Sequence, residues 1–295
     1  MPTTNTRNFQ QSRAAMRFVE ERRFGSIFFT DSVAGSSTGG YNPDAATATL
    51  IQAQSLCTAS ADDIVYVKQA HAETVVGAAG MTFSTAGVTY QGLGKGRNRP
   101  TISFTTAITA QIIISGANIT FRNFVFDFTG FDAITAAISV TGADVTFEDC
   151  EFICNSATAG VVLGILTAAT ATRFAVRRCK FLGTFANTGT TTTAQIKHEV
   201  GVDFVIEDNY FVGKMTQAIL NATTITNGLI RNNDFHIGTG TVAITMETST
   251  AGLAAFNRAC VASGTAAYAG AAFSWTQNHY TTEANGPTSG TADSI

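Results

Sequence analysis

The stretch VTFEDCEFI at residues 145–153 is the feature from which the fold can be inferred, because close variants of it recur along the chain. The variants are ITFRNFVFD at 119–127, FAVRRCKFL at 174–182, FVIEDNYFV at 204–212 and GLIRNNDFH at 228–236. Each copy has an apolar residue, two polar residues, a Phe, Cys or Asn, one variable residue and then a Phe. The copies start 24 to 30 residues apart, and this variable spacing excludes a rigid helical repeat and favours coils whose turns accept insertions.

A second short apolar segment recurs with the same period. Its copies are AQIIIS at 110–115, AAISV at 136–140, VVLGIL at 161–166, AQIKHEV at 194–200, QAILNA at 217–222 and TVAITM at 241–246. The composition favours extended structure, since the 295 residues include 22 Phe and only four Pro, and only 13% are charged. Several β segments per repeat indicate a solenoid, because a single coil has bare edges and is stable only when it is stacked on its neighbours.

This pattern resembles the right-handed parallel β-helix, the fold of pectate lyases and many phage tailspikes, over roughly residues 64–262. The resemblance implies an all-β, right-handed, single-stranded solenoid with a helix-containing cap at its N-terminal end. In that family the first apolar residue of the motif points inward and the two polar residues lie at a sharp bend. The fourth residue returns to the core, and the Phe at the sixth position closes the motif.

Stacking of the coils at about 4.8 Å would make equivalent positions of the motif neighbours along the axis. The first positions (Phe121, Phe147, Val176, Ile206, Ile230) form an inward column, with weaker copies at Tyr90 and Phe256. The sixth positions (Phe126, Phe152, Phe181, Phe211, Phe235) form an aromatic ladder, and Asn209 and Asn233 at the fourth form a short internal stack. The second positions (Arg122, Glu148, Arg177, Glu207, Arg231) alternate in sign outside, as like charges would repel. The third positions (Asn123, Asp149, Arg178, Asp208, Asn232) are expected to follow the same charge logic.

Four regions follow from the pattern: an N-terminal arm at 1–24, an N-terminal cap at 25–76, the β-helix at 77–262, and a C-terminal cap and tail at 263–295. Within the first cap, NPDAATATLIQAQSLC predicts a helix with Asn42 as N-cap and Pro43 in its first turn. The helix would cover the first coil with the face that carries Leu50, Ala53, Leu56 and Cys57.

The arm is rich in basic residues and is the candidate for docking onto a larger partner. Its arginines are Arg7, Arg13, Arg17, Arg22 and Arg23, and a solvated helical leader is the alternative interpretation. Further surface contacts are predicted at Lys95, Arg97 and Arg99 in the turn GLGKGRNRP (92–100), and at Trp275, the single Trp. That turn lacks the Lys-Ser/Thr ending of a phosphate-binding loop.

Glycoside chemistry needs two carboxylates a few ångströms apart, and the acidic residues of the repeats are the candidates. They are Glu148, Asp149, Glu151, Glu207 and Asp208. The intervening coil places Arg177, Arg178 and Lys180 between the two acidic groups. We therefore interpret these acids as members of charge ladders and predict no catalytic residue, although lyase or hydrolase activity stays open.

Two other candidate sites also have simpler interpretations. His198 and Glu199 are adjacent, but neighbouring residues of a strand face opposite sides, so an acid–base pair is not expected. Cys150 and Cys179 occupy the core position that Phe or Asn fills in other copies, which predicts buried thiols rather than a metal site. No metal and no cofactor are predicted.

The charge and the N-terminus limit the class of protein. A net charge of −3 gives no reason to expect nucleic acid as a partner, and no apolar run is long enough to predict a membrane span. The polar N-terminus does not look like a signal peptide, and five cysteines do not make a disulfide framework. We expect synthesis in a reducing cytoplasm.

The order of elements in residues 25–160 resembles a group of phage-encoded β-helix proteins. The most specific part is the turn GLGKGRNRP, followed by a strand and by VTFEDCEF. The resemblance implies a structural virion protein, either a capsid decoration (cement) protein or a head fibre. It also implies a homotrimer, a major capsid or other virion protein as partner, and location in the virion. The alternative is a tailspike-like protein that binds or depolymerises a host-surface glycan.

Overall fold

Three long β-sheets run parallel to the axis on which the coils are stacked, and each coil contributes one strand to each sheet in turn. The computed structural model describes residues 25–105, 107–221, 223–238, 240, 242–246, 251–262, 267–270, 273–282 and 290–291. The arm at 1–24, with its five arginines, lies outside the described residues. Within the described part, all pairings between consecutive coils are parallel, so the chain forms a parallel β-helix, as predicted.

The strands fall into three sheets, which we number in the order in which a coil visits them. Sheet 1 consists of Ile27–Thr30, Asp63–Val67, Val88–Gly92, Thr120–Arg122, Thr146–Glu148, Ala175–Arg177, Val205–Glu207, Gly228–Arg231, Gly252–Ala255 and Phe273–Thr276. Sheet 2 consists of Ala72–Val75, Thr101–Phe104, Val125–Asp127, Glu151–Cys154, Lys180–Gly183, Tyr210–Gly213, Asp234–Ile237, Arg258–Val261, His279–Thr282 and the antiparallel Gly290–Thr291. Sheet 3 consists of Met81–Phe83, Ile112–Ile114, Ile138–Val140, Leu163–Thr167, Thr192–His198, Met215–Asn221, Ile244–Thr245 and Tyr268–Ala269. A two-stranded pair, Gly201–Val202 and Ile225–Thr226, lies outside these sheets.

The register of sheet 1 confirms the alignment of the repeats. Phe147 pairs with Phe121 on one side and with Val176 on the other, and the column continues through Ile206 to Ile230. All five side chains are at most 1% exposed. Tyr90 pairs with Phe121, as expected for the weaker copy. Phe256 does not continue the column, because Ala254 is the partner of Ile230.

The phenylalanines at the sixth position form the predicted aromatic ladder inside sheet 2. Ring centroids lie 5.1 Å apart for Phe126–Phe152, 4.5 Å for Phe152–Phe181 and for Phe181–Phe211, and 4.9 Å for Phe211–Phe235, with near-parallel planes. Stacked pairs of this kind contribute about 0.5–1.5 kcal/mol each beyond burial. The ladder stops at the next coil, where Ala259 replaces the Phe.

The third position of the motif is set by the backbone rather than by charge alone. It adopts a left-handed conformation in seven coils: Asn123 (φ 62), Asp149 (φ 56), Arg178 (φ 51), Asp208 (φ 59), Asn232 (φ 53), Phe256 (φ 58) and Gln277 (φ 50). Asn and Asp tolerate this conformation best among residues with a side chain. The bend between sheets 1 and 2 therefore explains the frequent Asn and Asp at this position, for which we expected only charge alternation.

The buried asparagine stack is longer than predicted, because Asn257 and Asn278 extend it beyond Asn209 and Asn233. The side-chain Nδ2 of Asn209, of Asn233 and of Asn257 donates to the Oδ1 of the next Asn at 2.9–3.0 Å. Each Nδ2 also donates to a carbonyl of the preceding coil, for example Asn233 to the oxygen of Ile206 at 3.0 Å. All four side chains are at most 2% exposed. The two additional members would have emerged from aligning the repeats on Asn instead of on Phe.

The thiols at the fourth position occupy the equivalent place in the earlier coils. Cys150 Sγ lies 3.5 Å from the carbonyl oxygen of Phe121, and Cys179 Sγ lies 3.6 Å from that of Phe147. These carbonyls belong to the same column whose later members accept from the asparagines. Cys and Asn at the fourth position therefore make the same kind of contact, in which a buried side-chain donor approaches a backbone carbonyl oxygen of the preceding coil.

The helix of the N-terminal cap is shorter than predicted and begins later. It spans Leu50–Leu56, with Thr49 as N-cap in a capping box with Gln52. Asn42 is not a helix cap, since its Oδ1 accepts from the backbone N–H of Asp44 at 2.9 Å in a local turn. Thr47 is held instead by bridges to Thr30 and Ser36, which keep this segment extended.

The helix covers the open end of the solenoid. Leu50 and Ala53 are fully buried, and Leu56 and Cys57 pack against the core, which is the face expected. Gln54 donates to the carbonyl oxygen of Thr82 at 3.0 Å and accepts from the N–H of Ser84 at 2.8 Å. It thereby satisfies polar groups at the edge strand Met81–Phe83, which would otherwise be exposed to pairing with other chains.

The parallel sheets extend past the predicted boundary at residue 262. Tyr268–Ala269, Phe273–Thr276 and His279–Thr282 continue sheets 3, 1 and 2 in parallel register. These strands lack the charged and Phe positions of the motif, which is why the pattern did not reveal them. Trp275, predicted as a surface contact, packs against Tyr268 with ring centroids 5.5 Å apart and donates to the carbonyl oxygen of Gly270 at 2.9 Å.

The asparagine stack should be a main source of stability in the second half of the solenoid. Asn233→Leu removes bonds to both neighbouring asparagines and to Ile206, leaving buried polar groups without partners. At about 1–3 kcal/mol for each such group, we expect the free energy of unfolding to fall by at least about 3 kcal/mol in a guanidinium titration. Asn232→Asp is the matched control, because position 232 is exposed and Asp occupies the equivalent left-handed position in other coils. Equal stability of the two variants would contradict this role.

Candidate functional site

Of the acidic residues weighed for glycoside chemistry, Glu148 and Glu207 lie on sheet 1, Asp149 and Asp208 lie at the bend that follows it, and Glu151 lies on sheet 2. Arg122 Nε lies 2.5 Å from Glu148 Oε2, and Arg231 Nη2 lies 2.6 Å from Glu207 Oε2. Arg177 Nε lies 2.9 Å from Glu207 Oε1, although without the alignment of a hydrogen bond. The column of alternating charges therefore forms ion pairs along the axis, as the register predicted.

Glu148 differs in one respect from the expected pattern. Its second arginine is Arg178, from the third position, rather than Arg177 from the second. Arg178 also donates to Asp149, with Nε 2.9 Å from Oδ1, so a single guanidinium joins both acids of the neighbouring coil. Arg178 has a left-handed backbone conformation in the bend from which its side chain reaches these two acids.

These ion pairs leave Glu148 poorly suited to act as a general acid. Burial raises the pKa of its carboxyl, but the hydrogen bonds and charges of Arg178 and Arg122 outweigh this and hold the pKa below its usual range. A general acid at neutral pH needs the opposite shift. The acids of the two coils are, in addition, separated by the coil that carries Arg177 and Arg178.

The basic turn at 92–100 is partly a structural brace. Arg99 forms an ion pair with Glu151, which also lies 3.7 Å from Lys180 Nζ, and only 11% of the Arg99 side chain is exposed. Arg99 thus connects its turn to a strand two coils further along sheet 2. Lys95 immediately precedes a short 3₁₀ turn, Gly96–Asn98, and Arg97 lies within it; both side chains are exposed.

His198 points into the core, away from Glu199. Glu199 pairs with Lys197 at 2.5 Å, whereas the His198 ring is fully buried between Phe174 and Phe204. His198 Nδ1 and Thr167 Oγ1 lie 2.8 Å apart. Burial lowers the pKa of His198 to about 3, so the ring is neutral at physiological pH and forms no acid–base pair with Glu199.

A Ser-His-Glu arrangement in the N-terminal cap escaped the sequence analysis. His71, which is fully buried, bonds Glu73 through Nε2 at 2.6 Å, and its Nδ1 accepts from the backbone N–H of Ser32 at 2.9 Å. Glu73 also accepts from the N–H of Leu50 at the start of the helix. The imidazole lone pair that would activate a Ser hydroxyl is therefore occupied by a backbone N–H. The trio connects loop, helix and first coil.

The described part of the chain has no group of three or more His, Cys, Asp or Glu that could hold a metal ion. Cys150 and Cys179 are buried in the core, as predicted. Burial raises the pKa of Cys179 well above its usual value, which keeps the thiol protonated and unreactive.

An open groove lies on the outer face of sheet 2, at the end opposite to the helix-containing cap. Two adjoining depressions of about 410 Å³ each share Arg258 and His279. The first extends along the strands to Asp234 and Tyr210, and the second extends around the bend to Phe256. None of these residues was singled out as a site from the sequence. The available signal was a Phe at the third position, where other copies have Asn, Asp or Arg.

Among the residues that the structure describes, no helix is long and apolar enough to cross a membrane.

No protein-family model and no curated protein matches the chain. Several solved structures have a similar fold. Three of them are a rhamnogalacturonan lyase (12% identity, 80% of this chain and 74% of the other, TM-score 0.48), the GH136 lacto-N-biosidase from Eubacterium ramulus (10%, 85% and 58%, 0.48) and the Dettilon tailspike protein (10%, 80% and 58%, 0.44). The chain therefore spans 58% of the lacto-N-biosidase and of the tailspike. At such identities these similarities concern the fold alone.

The outer charge column should stabilise the stack in a salt-dependent way. Glu207→Gln removes the negative partner of both Arg177 and Arg231. Because exposed pairs contribute about 0.2–1 kcal/mol each, we expect a loss of about 1 kcal/mol in the free energy of unfolding at low salt, which shrinks in 1 M NaCl. Asp208→Asn, at the next and more exposed position, is the control. A loss of the same size for both variants would contradict the pairing.

His198 should make stability depend on pH. Since its pKa is about 3 in the folded protein and 6.5 for an unperturbed imidazole, the unfolded chain binds the proton more readily. Its contribution is complete above pH 6.5 and declines as the pH falls towards 3. Denaturant titrations between pH 7 and 4 should show a shallower decline for His198→Asn than for the native chain. Identical slopes would show that His198 does not titrate in this way.

Proposed function

We propose that the protein is a structural component of a bacteriophage virion, a decoration (cement) protein or head fibre. It docks on the major capsid protein or another virion protein through the arm at 1–24 or through one face of the β-helix. Support comes first from the sequence of residues 25–160, whose order of elements resembles phage-encoded β-helix proteins, with GLGKGRNRP (92–100) as its most specific part.

The observation that carries this proposal is the use of charge on the outer surface. Glu148, Glu151 and Glu207 each lie in ion pairs with two basic residues from neighbouring coils or turns. Charges placed in this way hold the coils in register and leave the candidate carboxylates tied to cations. Such a surface suits a rod that has to be stable, rather than one that has to bind and protonate a substrate.

The resemblance-bearing turn also has a structural explanation. Arg99, its last basic residue, reaches Glu151 two coils away in sheet 2. Its Nε donates to the carbonyl oxygen of Gly96 at 3.2 Å, which closes the turn. A sequence constraint of this kind marks a shared architecture, and Lys95 and Arg97 remain exposed for a partner.

Association into a homotrimer is part of the proposal. In each strand of sheet 1, one outward-facing residue immediately precedes the residue that belongs to the inward column. Along the axis, this outward-facing residue changes from Thr120 and Thr146 to Val205, Leu229 and Leu253. Leu253 is 38% exposed. The charged residues of the adjacent column form ion pairs with one another. An apolar strip beside a column whose charges are already neutralised favours contact with a second copy of the chain over contact with a charged partner.

The alternative, a tailspike-like depolymerase, would use the pairs Glu148/Asp149 or Glu207/Asp208 for cleavage. The arginines that contact Glu148 and Glu207 disfavour it, since both carboxylates would have to be released before one could act as an acid or a nucleophile.

Removal of residues 1–24 should abolish docking and preserve the fold. The experiment compares full-length and truncated protein in co-sedimentation with particles of the phage that encodes it, depleted of this protein, and images the complexes by electron microscopy. We expect full-length protein on the capsid surface and the truncated protein in the supernatant, with circular dichroism of a β-rich chain for both.

A matched pair of variants tests whether charge drives the contact. Replacing Arg7, Arg13, Arg17, Arg22 and Arg23 by Lys preserves the charge, whereas replacing them by Gln removes it. Binding should survive the first change and weaken at least tenfold with the second. Undiminished binding of the truncated chain would reject the arm as the docking element, and density at the tail tip would reject a capsid role.

A further inference from the structure

The outer face of sheet 1 begins with an apolar patch in its first two strands. The outward residues there are Ile27 and Phe29 in the first strand, in register with Ile64 and Tyr66 in the second. We call these four residues the entry patch. The rings of Phe29 and Tyr66 stack with centroids 5.9 Å apart, and Ile27 is 48% exposed. Within the described part of the chain, none of the four belongs to the hydrophobic core.

The following strands carry polar side chains at the same two outward positions. They are Thr89 and Gln91, then Thr120 and Arg122, then Thr146 and Glu148. An aromatic pair thus stands at the start of the column that carries the alternating charges in later coils. Outward positions of a solvated sheet favour polar residues, and adjacent large apolar side chains on a surface mark a contact. The entry patch is therefore a surface that something covers.

The arm at 1–24 joins the fold beside this patch. Gly25 packs so closely on Asp62 that a Cβ at Gly25 would lie 2.2 Å from the Asp62 carbonyl carbon. The backbone N–H of Ser26 donates to the carboxylate of Asp63, which is 2% exposed, at 2.5 Å. The point at which the arm enters the fold is therefore fixed next to the strand Asp63–Val67, which supplies half of the patch.

The sequence of the arm has the polarity that the patch requires. A helix over 13–22 would place Ala15, Met16 and Val19 on one side. Arg13, Arg17 and Glu21 would lie on the opposite side, at helical spacings of four. Such a short helix is marginal in water by itself, because most helical stability comes from packing of an apolar face. The arm needs an apolar surface, and the entry patch needs a cover.

The dimensions of the two elements also match. A helix over 13–22 would be about 15 Å long and about 10 Å wide. A strand of five residues, such as Asp63–Val67, is about 17 Å long, and two neighbouring strands cover a width of about 10 Å. A single helix laid along the strands would therefore cover the patch without reaching the polar positions of Thr89 and Gln91.

We propose that the arm folds back over the entry patch of its own chain. Its apolar side packs on Ile64, Tyr66 and their neighbours, and the side with Arg13 and Arg17 faces outward. The contact belongs to the isolated chain, so it goes beyond the proposed virion role and does not depend on it. It replaces the solvated leader, the alternative interpretation of the arm, by a segment that is held on the fold.

The size of the patch favours the arm over a separate molecule. At about 17 by 10 Å, the patch covers roughly 170 Å², well below the roughly 800 Å² per partner of a standard stable interface. A second copy of the chain or another protein would also lose translational and rotational freedom on binding. The arm is already tethered at Gly25, so its effective concentration at the patch is high and a small contact suffices.

Hydrogen–deuterium exchange of the full chain, read by mass spectrometry, tests the contact. Amides of residues 13–22 should exchange at least about tenfold more slowly than in a synthetic peptide of residues 1–24. Ile64→Thr and Tyr66→Gln, which restore the residues of the next coil, should abolish this protection. Leu253→Thr is the matched control, because Leu253 lies in the same outward column near the other end of sheet 1. It should leave the protection unchanged.

Variants of the arm test the other side of the contact. Val19→Ser removes an apolar side chain and should speed the exchange, whereas Glu21→Ser, on the opposite side, should not. The melting temperature of the β-helix should stay the same in the patch variants, because Ile64 and Tyr66 lie outside the core. Exchange as fast as in the free peptide, or protection that survives both patch variants, would overturn the proposal.

A cysteine pair identifies the chain to which the arm belongs. Val19→Cys combined with Ile64→Cys should form a disulfide within one chain under mild oxidation, and the product should migrate as a monomer in a denaturing gel. Disulfide-linked dimers would show that the arm covers a second copy, and no cross-link would show that it does not reach the patch. Either result would reject the contact. None of these measurements involves the particle, so the contact is tested separately from docking.

Discussion

In-register stacking of coils is the constraint on which the remaining structure depends. Each coil advances about 4.8 Å along the axis, so a residue has as its nearest neighbours the residues at the same position one coil before and one coil after. Every position is therefore selected for compatibility with its own copies. Phe stacks on Phe, Asn donates to Asn, and a charge lies between charges of opposite sign. A sequence slip of one coil would place like charges side by side.

The fourth position shows how this constraint acts on buried polar groups. Cys150 and Cys179 approach carbonyls of the preceding coil through a thiol, and from Asn209 onward the amide takes over and adds bonds along the column. A buried amide without partners would be costly, and each of these asparagines has a partner in a neighbouring coil; even Asn278, the last of the column, donates to the carbonyl oxygen of Ala254. The column Asn209, Asn233, Asn257 and Asn278 thus links the last coils described through a continuous chain of side-chain hydrogen bonds.

The stacking constraint also distinguishes the outer surfaces whose side chains stabilise the fold from the last coils, where the repeated pattern is interrupted. On sheet 1, Glu207 forms an ion pair with Arg177 of the neighbouring coil. In the turn at 92–100, Arg99 forms an ion pair with Glu151, two coils further along sheet 2. Near the C-terminal end the repeated pattern fails at two neighbouring positions. Ala259 interrupts the aromatic ladder, and Phe256 takes a strained bend position without being buried.

The sequence by itself determined the β-helix, the inward column, the aromatic ladder and the alternating charges, because these features repeat and stacking places equal positions together. It did not determine the start of the cap helix, where bridges to Thr47 override the cap signal of Asn42. It also missed Asn257 and Asn278, the left-handed bends and the choice of Arg178 over Arg177 as partner of Glu148. Only the tertiary structure decided these, because backbone conformation and the lateral reach of a side chain depend on the geometry of each bend. The groove formed by Tyr210, Arg258 and Phe256 likewise exists only once three coils are stacked.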